Sequence, residues 1–183
     1  MNLVVTGVPG IGKTTLVDRV VEVLEDRAGG VLTREVREGG SRTGFAIESL
    51  DGQRRVLASC HFKEGPKVGR YRVSVENLEA VGVGAVRRAL SRRQVVIIDE
   101  IGKMELISPA FKAIILEALE SDLPTVATMG VSRIAFMDAV RKRPDVEIIR
   151  ITAANRDGLR DRVLDMLKAA RSDGGERCER SSV

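Results

Sequence analysis

Glycine, lysine and threonine occur near the start of the chain in the order G-x-x-x-x-G-K-[ST], over residues 7–14. Glycines at this spacing allow backbone N–H groups to turn inward around an anion. A helix that begins at the lysine adds the positive end of its dipole. We therefore expect Lys13 to reach the β- and γ-phosphates of a nucleoside triphosphate, and Thr14 to ligate Mg²⁺.

Residues 7–14, called the phosphate loop below, follow a short apolar run and open a helical pattern, which is the context that this motif requires. A glycine-rich turn that binds nothing is the alternative. The predicted nucleotide contacts of this region are Gly7, Val8, Pro9, Gly10, Ile11, Gly12, Lys13, Thr14 and Thr15.

Two adjacent carboxylates follow the apolar residues 95–98. This is the Walker B pattern, in which a buried parallel strand delivers an aspartate to Mg²⁺ at its carboxyl end. Because successive strand residues point to opposite faces, we assign different roles to the two groups. Asp99 holds the metal through a water, and Glu100 orients or deprotonates the water that attacks the γ-phosphate. The alternative is an ordinary strand that ends in a solvated acidic turn.

The residues after Glu100 form a loop at the same edge of the predicted sheet, where ligands of such folds bind. Lys103 is placed to contact phosphate there, and to supply in cis the charge that an arginine finger supplies elsewhere. A solvated lysine in a loop before a helix is the alternative. Residues 99–102 also fit the loose D-x-x-G pattern of GTPases. The predicted catalytic residues are thus Lys13, Glu100 and Lys103.

Hydrophobic periodicity predicts the elements that must position these groups. A strand over residues 2–6 precedes a helix over 13–27, which the pair Gly29-Gly30 ends. Residues 31–75 show the alternation and turn signals of antiparallel hairpins, with a loop over 61–69. Three further strand–helix units begin near residues 95, 125 and 146, and the last helix covers 156–170.

Near-continuous apolar strands that alternate with helices indicate a parallel sheet covered on both faces. We therefore predict one α/β domain over residues 1–170, with a mostly parallel sheet, added antiparallel hairpin strands and helices on both faces. Residues 171–183 are polar, and we expect a disordered tail there.

Composition limits the classes of function. No apolar run approaches the roughly 20 residues of a membrane span, and the first strand begins too early to leave room for a signal peptide. Cys60 and Cys178 lie far apart, which fits a reduced, cytoplasmic setting. One histidine and two scattered cysteines are too few for a structural zinc site. Without a long heptad repeat, we expect a monomer.

The charge balance bears on nucleic acid as a partner. The chain has 30 Lys and Arg against 26 Asp and Glu, a formal excess of +4, and only 3% of its residues are aromatic. Acids and bases are interleaved, and the arginine clusters near residues 87–93 and 141–143 fall at the ends of predicted helices, where they complement the dipole. Nucleic acid is therefore the less favoured partner.

Several segments together resemble one family, the thermophilic or cancer-related nucleoside-triphosphatases. The most discriminating is Asp-Glu-Ile-Gly-Lys-Met-Glu at residues 99–105 within 96–106, and the phosphate loop and residues 33–45, 68–71 and 155–157 agree with it in order. The resemblance extends from residue 3 to about 167. Arg34, where the family pattern is acidic, and Thr128-Met129-Gly130 depart from it.

The resemblance implies a RecA-like P-loop domain and slow, Mg²⁺-dependent hydrolysis of ATP, GTP, CTP and UTP to the diphosphate and phosphate. It assigns nucleotide contacts to the phosphate loop and to a second segment, namely Asp99, Glu100, Ile101, Gly102, Lys103, Met104, Glu105 and Leu106. The residues themselves also favour low base specificity, because Asn155-Arg156-Asp157-Gly158 lacks the spacing of the guanine-reading Asn-Lys-x-Asp.

Two other functions use the same motifs. A small-molecule or nucleoside kinase needs the same loop, lysine and Mg²⁺, and Arg34, Arg37 and Arg42 around a glycine turn fit a lid-like hairpin. A nucleotide-dependent, RNA-associated switch is supported only by the basic clusters. Neither the physiological substrate nor the role of the hairpin over residues 33–45 follows from the sequence.

Overall fold

The computed structural model describes residues 1–179, with side chains for residues 1–170. Nine strands form one sheet: β1 (Asn2–Thr6), β2 (Ala28–Glu38), β3 (Ser41–Ser49), β4 (Arg54–Ser59), β5 (Lys67–Val68), β6 (Tyr71–Val73), β7 (Val95–Ile101), β8 (Thr125–Met129) and β9 (Val146–Arg150). The helices are α1 (Lys13–Leu24), α2 (Val75–Asn77), α3 (Gly84–Ser91), α4 (Pro109–Glu120), α5 (Ala135–Arg141) and α6 (Arg156–Glu179). A π-helical segment, Leu78–Val83, joins α2 to α3.

The strand order is β5-β6-β4-β3-β2-β7-β8-β1-β9. The five strands from β2 to β9 pair in parallel, whereas β3, β4, β6 and β5 extend the β2 side as antiparallel strands. The predicted mixed α/β fold is therefore confirmed. The loop predicted over residues 61–69 contributes the short strand β5 at the sheet edge.

Two hydrophobic cores cover the two faces of the sheet, because the central parallel strands carry buried apolar residues on both faces. Leu3 and Val5 of β1 pack with residues of α1 and α6, while Val4 between them belongs to the core under α3 and α4. Val95 and Val96 of β7 divide in the same way. This alternation with a period of two places each strand between two layers of helix.

Two predicted boundaries are wrong. Gly29 and Gly30 do not end a helix but lie inside β2, and the preceding helical turn ends at Arg27. Gly30 has a φ of 129°, and a Cβ there would come within 2.0 Å of the Ile97 carbonyl oxygen on β7. The second boundary is the end of α6, which continues past residue 170 to Glu179. The remaining residues of the predicted tail, 180–183, lie outside the described part of the chain.

In the part of the chain that the structure describes, no helix is both long enough and apolar enough to cross a membrane.

Candidate functional site

The phosphate loop connects β1 to α1 and leaves the N-terminus of that helix open. Gly10 and Gly12 have φ angles of 76° and 110°, which residues with a Cβ rarely adopt. Gly12 is the N-cap and offers no side chain to the first turn, so the unpaired N–H groups of the first turn face the loop. Six of the predicted contacts line a cavity of about 660 Å³, which we call the carboxylate cavity: Pro9, Gly10, Gly12, Lys13, Thr14 and Thr15.

Three predicted contacts of the loop lie outside that lining. The carbonyl oxygens of Gly7 and Val8 accept hydrogen bonds from Lys13 Nζ at 3.1 and 3.5 Å. Ile11 lines a second cavity, described below. Gly7 and Val8 therefore position the lysine with their backbone.

The ammonium of Lys13 is held across the mouth of the loop. Its side chain is only 7% exposed, and Nζ lies 3.9 Å from Glu100 Oε2 in addition to its two carbonyl partners. A buried cation with fixed partners needs little rearrangement to meet an incoming anion. The structure thus brings together the predicted lysine and the predicted general base.

Asp99 meets Thr14 at the floor of the carboxylate cavity. Its side chain is buried, and Oδ1 accepts a hydrogen bond from Thr128. Burial raises the pKa of Asp99, and the hydroxyls of Thr128 and Thr14 and the positive charge of Arg34 oppose that rise. Oδ2 is buried without a hydrogen-bond partner among the described residues. An orphaned carboxylate oxygen next to a threonine hydroxyl is the donor set that suits Mg²⁺.

Asp99 and Glu100 both line the carboxylate cavity, which the simple alternation of strand residues does not predict. The β7–β8 register shifts between Ile98 and Ile101, so the strand carries one residue more than its partner at this point. Such a bulge redirects side chains at the end of a strand. Burial and the nearby Asp99 charge raise the pKa of Glu100, and Lys13 opposes them.

The loop after β7 divides its predicted contacts between cavity and core. Gly102, Lys103, Met104 and Glu105 line the carboxylate cavity, whereas Ile101 and Leu106 are buried in the core. Lys103 is exposed and has no ion pair or hydrogen bond with the side chains described for residues 1–170.

Glu105 is almost fully buried in the same wall. Burial raises the pKa of its carboxyl to about 8, with the charges of Glu100 and Asp99 adding to the rise. Thr33 Oγ1 lies 3.5 Å from Oε1. The carboxyl is therefore neutral at pH 7 and adds no negative charge to the cavity.

The outer wall of the carboxylate cavity comes from the β2–β3 hairpin and β5, and its residues were not among the predicted contacts. They are Thr33, Arg34, Glu35, Arg42, Phe45 and Val68. The Arg42 guanidinium lies 5.1 Å from the centre of the Phe45 ring and forms an ion pair of 2.7 Å with Glu35. Phe45 also packs edge-on against Tyr71, with ring centres 5.3 Å apart.

An ion pair of Arg34 links the β2–β3 hairpin to α1. Its two terminal nitrogens donate to the two carboxylate oxygens of Asp18 at 2.9 and 2.6 Å, and Nε lies 3.5 Å from Glu48. The pair is about one-third exposed, so solvent weakens it. The residue that departs from the family pattern thus links the outer wall to the helix that follows the phosphate loop.

A second cavity, of about 320 Å³, lies on the other side of the phosphate loop. We call it the α6 cavity, because Arg156 and Asp157 of α6 line it together with Ile11, Leu16 and Arg19. Gly10, Gly12 and Thr15 line both cavities. The phosphate loop is therefore a shared wall between two separate spaces.

A family model described as NTPase matches residues 2–164. The nucleoside-triphosphatase THEP1 of Thermofilum pendens is 49% identical over 162 residues, which are 85% of this chain and 89% of that protein. The chain belongs to the THEP1 nucleoside-triphosphatase family. It is accordingly a hydrolase of nucleoside triphosphates, as the phosphate loop and the resemblance predict. THEP1 of Thermotoga maritima is 38% identical over 173 residues, covering 94% of this chain and 99% of that protein.

Two solved structures share the fold. THEP1 from Aquifex aeolicus superposes with a TM-score of 0.85 at 37% identity, covering 91% of this chain and 99% of that one. A human cancer-related nucleoside triphosphatase gives a TM-score of 0.79 at 32% identity, with coverage of 92% and 97%.

Proposed function

We propose that the protein hydrolyses ATP, GTP, CTP and UTP to the diphosphate and phosphate, in a reaction that depends on Mg²⁺ and discriminates little between bases. The observation that supports this most is the convergence of Lys13, Asp99 and Glu100 on one cavity beside the open end of α1. Phosphate-binding groups, a metal-binding carboxylate and a second acid are the minimum that such hydrolysis needs.

In this proposal the chain's own groups divide the work. Backbone N–H groups of the loop and the Lys13 ammonium bind the β- and γ-phosphates. Glu100 accepts a proton from water as the water oxygen attacks the γ-phosphorus, and the bond from that phosphorus to the bridging oxygen breaks. The diphosphate leaves toward Lys13. Lys103 stabilises the charge that develops on the transferred group.

Thr14 and Asp99 are the residues that would hold Mg²⁺, directly or through water. Asp99 Oδ2 is buried and has no partner among the described side chains, so this oxygen is available as a ligand. Bound there, the ion neutralises charge on the phosphate oxygens.

The nucleoside lies in the α6 cavity in this proposal. In-line transfer places the attacking and leaving oxygens on opposite sides of the phosphorus, so the diphosphate extends away from Glu100. The space on that side is lined by the exposed side chains of Arg19, Arg156 and Asp157. The Asn155 amide accepts a hydrogen bond from Thr152 N at 2.8 Å and donates one to the Arg150 carbonyl oxygen at 2.9 Å. In this proposal it therefore does not read a base.

Phosphate release from the four triphosphates, with and without Mg²⁺, tests this function. Wild type should release phosphate from all four with kcat/KM values within about tenfold, because the charged side chains that line the α6 cavity, Arg19, Arg156 and Asp157, are exposed and can adapt to different bases. Lys13→Ala and Glu100→Gln should both lose release, with Glu100→Gln still binding nucleotide, and Lys63→Ala serves as the exposed-lysine control. A thousandfold preference for one base, or full activity in Glu100→Gln, would contradict the proposal.

A further inference from the structure

The carboxylate cavity is much larger than the attack of a water molecule requires. It measures about 660 Å³, whereas a water occupies roughly 30 Å³. Sites for small organic ligands fall in the same range as this cavity, at roughly 300–1,000 Å³. In the placement proposed above, the triphosphate fills the part beside the phosphate loop and leaves free the part next to the outer wall.

The position of this remaining space follows from the two cavities that share the phosphate loop. With the nucleoside in the α6 cavity, as proposed above, the γ-phosphate meets Asp99 and Glu100 on the other side of the loop. The outer wall then lies beyond the γ-phosphate, on the side from which a nucleophile approaches. A molecule held there is a second ligand and not part of the nucleotide.

The chemistry of the outer wall indicates what such a ligand contains. Three half-buried apolar side chains, Phe45, Val68 and Met104, line this part of the cavity, which suits a flat ring. Two cations also line the carboxylate cavity and suit an anionic group: Arg42 beside the Phe45 ring, and Lys103, which has no ion pair with the side chains described for residues 1–170. Arg42 is only partly neutralised, because Glu35 shares its ion pairs with Arg37.

We propose that this outer part of the carboxylate cavity, formed by Arg42, Phe45, Val68, Lys103 and Met104, binds a second small molecule that consists of a flat ring with an anionic group. It does so while a nucleoside triphosphate occupies the phosphate loop, so the proposal rests on the placement of the nucleotide given above. The second ligand occupies the side of the γ-phosphate from which water attacks, and its binding lowers the release of free phosphate.

Nucleoside 5′-monophosphates are suitable probes, since each joins a flat ring to an anion. AMP, CMP, GMP and UMP are titrated separately by calorimetry into wild-type protein saturated with Mg²⁺ and a non-hydrolysable ATP analogue. At least one should bind saturably with a stoichiometry of one. The same compound should lower the maximal rate of phosphate release without raising the KM for ATP.

Variants on the two sides of the phosphate loop separate the two ligands. Arg42→Gln and Phe45→Leu should each weaken monophosphate binding by about tenfold or more and leave the affinity for the ATP analogue unchanged. Arg156→Gln, the matched change in the α6 cavity, should weaken binding of the ATP analogue and leave the affinity for the monophosphate unchanged. Thermal unfolding confirms that Phe45→Leu is folded, and Arg42→Gln changes an exposed side chain.

Three results would overturn the proposal. No monophosphate binds the analogue-loaded protein, or the analogue and the monophosphate compete for one site. In the third, Arg42→Gln and Phe45→Leu weaken binding of the ATP analogue and not of the monophosphate. Absence of phosphate release from wild type without any monophosphate is a separate result. It would refute the proposed hydrolysis while the calorimetry still reports on the second site.

Discussion

The buried carboxyl of Glu105 makes the stability of this protein depend on pH in a predictable direction. The pKa of Glu105 is raised by burial from 4.5 to about 8 in the folded chain. Between those two values the unfolded chain has released the proton and the folded chain retains it. Stability contributed by this group is therefore complete below about pH 4.5 and is lost as the pH rises toward 8.

The magnitude follows from the width of that interval. One group that releases its proton only on unfolding lowers the free energy of unfolding by about 1.4 kcal/mol per pH unit. From pH 5 to pH 7 the wild type should lose up to about 3 kcal/mol through Glu105 alone. Glu105→Gln keeps the shape of the side chain and is neutral throughout, so this loss should be absent.

Urea unfolding at pH 5, 6, 7 and 8 measures the effect as a difference between two proteins, in which the other titrating groups cancel. The stability of Glu105→Gln relative to wild type should rise by up to about 3 kcal/mol from pH 5 to pH 7 and then level off near pH 8. Glu64→Gln, a change at an exposed loop position, controls for the substitution itself. A difference that stays constant with pH, or falls, would show that Glu105 is ionised in the folded chain.

Two further predictions concern Asp99 and Gly30. Asp99→Asn should raise the thermal midpoint of the nucleotide-free protein, because it removes a buried charge whose Oδ2 has no hydrogen-bond partner among the described residues. The same change should abolish Mg²⁺-dependent phosphate release. A lower midpoint would contradict the explanation from the buried charge. Gly30→Ala should cost about 3 kcal/mol or more in urea unfolding, since its Cβ would meet the Ile97 carbonyl. Gly40→Ala, at a φ of 79° with no atom within 4 Å, should cost only about 1 kcal/mol, and equal losses would refute the steric explanation.

The inner part of the site could be predicted because short local spacings encode it. The phosphate loop and the pair Asp99 and Glu100 each sit at a strand end, and parallel strands bring their carboxyl ends to one edge of the sheet. Thr128 was missed as a partner of Asp99, although a threonine near the carboxyl end of a predicted strand at that same edge was visible in the sequence.

The sequence indicates a hairpin around the glycine turn, but not its place as the outer wall of the site, because that place depends on which strands become neighbours. Arg42 and Phe45 reach the site only because β2 pairs with β7, with Leu32 opposite Asp99. That pairing is a long-range property of the sheet. Gly30 shows the same limit: its glycine pair is typical of a helix end, but here it permits close contact between strands.

The antiparallel strands β3, β4, β6 and β5 come from one uninterrupted stretch of chain between β2 and α2. None of them belongs to the parallel part of the sheet. A substitution or a change in hairpin length within this stretch would therefore leave the groups that bind phosphate in place. With the second ligand bound as proposed above, changes within residues 39–73 of this chain should alter its affinity for that ligand and leave triphosphate binding intact. In that proposal the antiparallel strands contribute to recognition of the second ligand, whereas the parallel strands position the phosphate-binding groups.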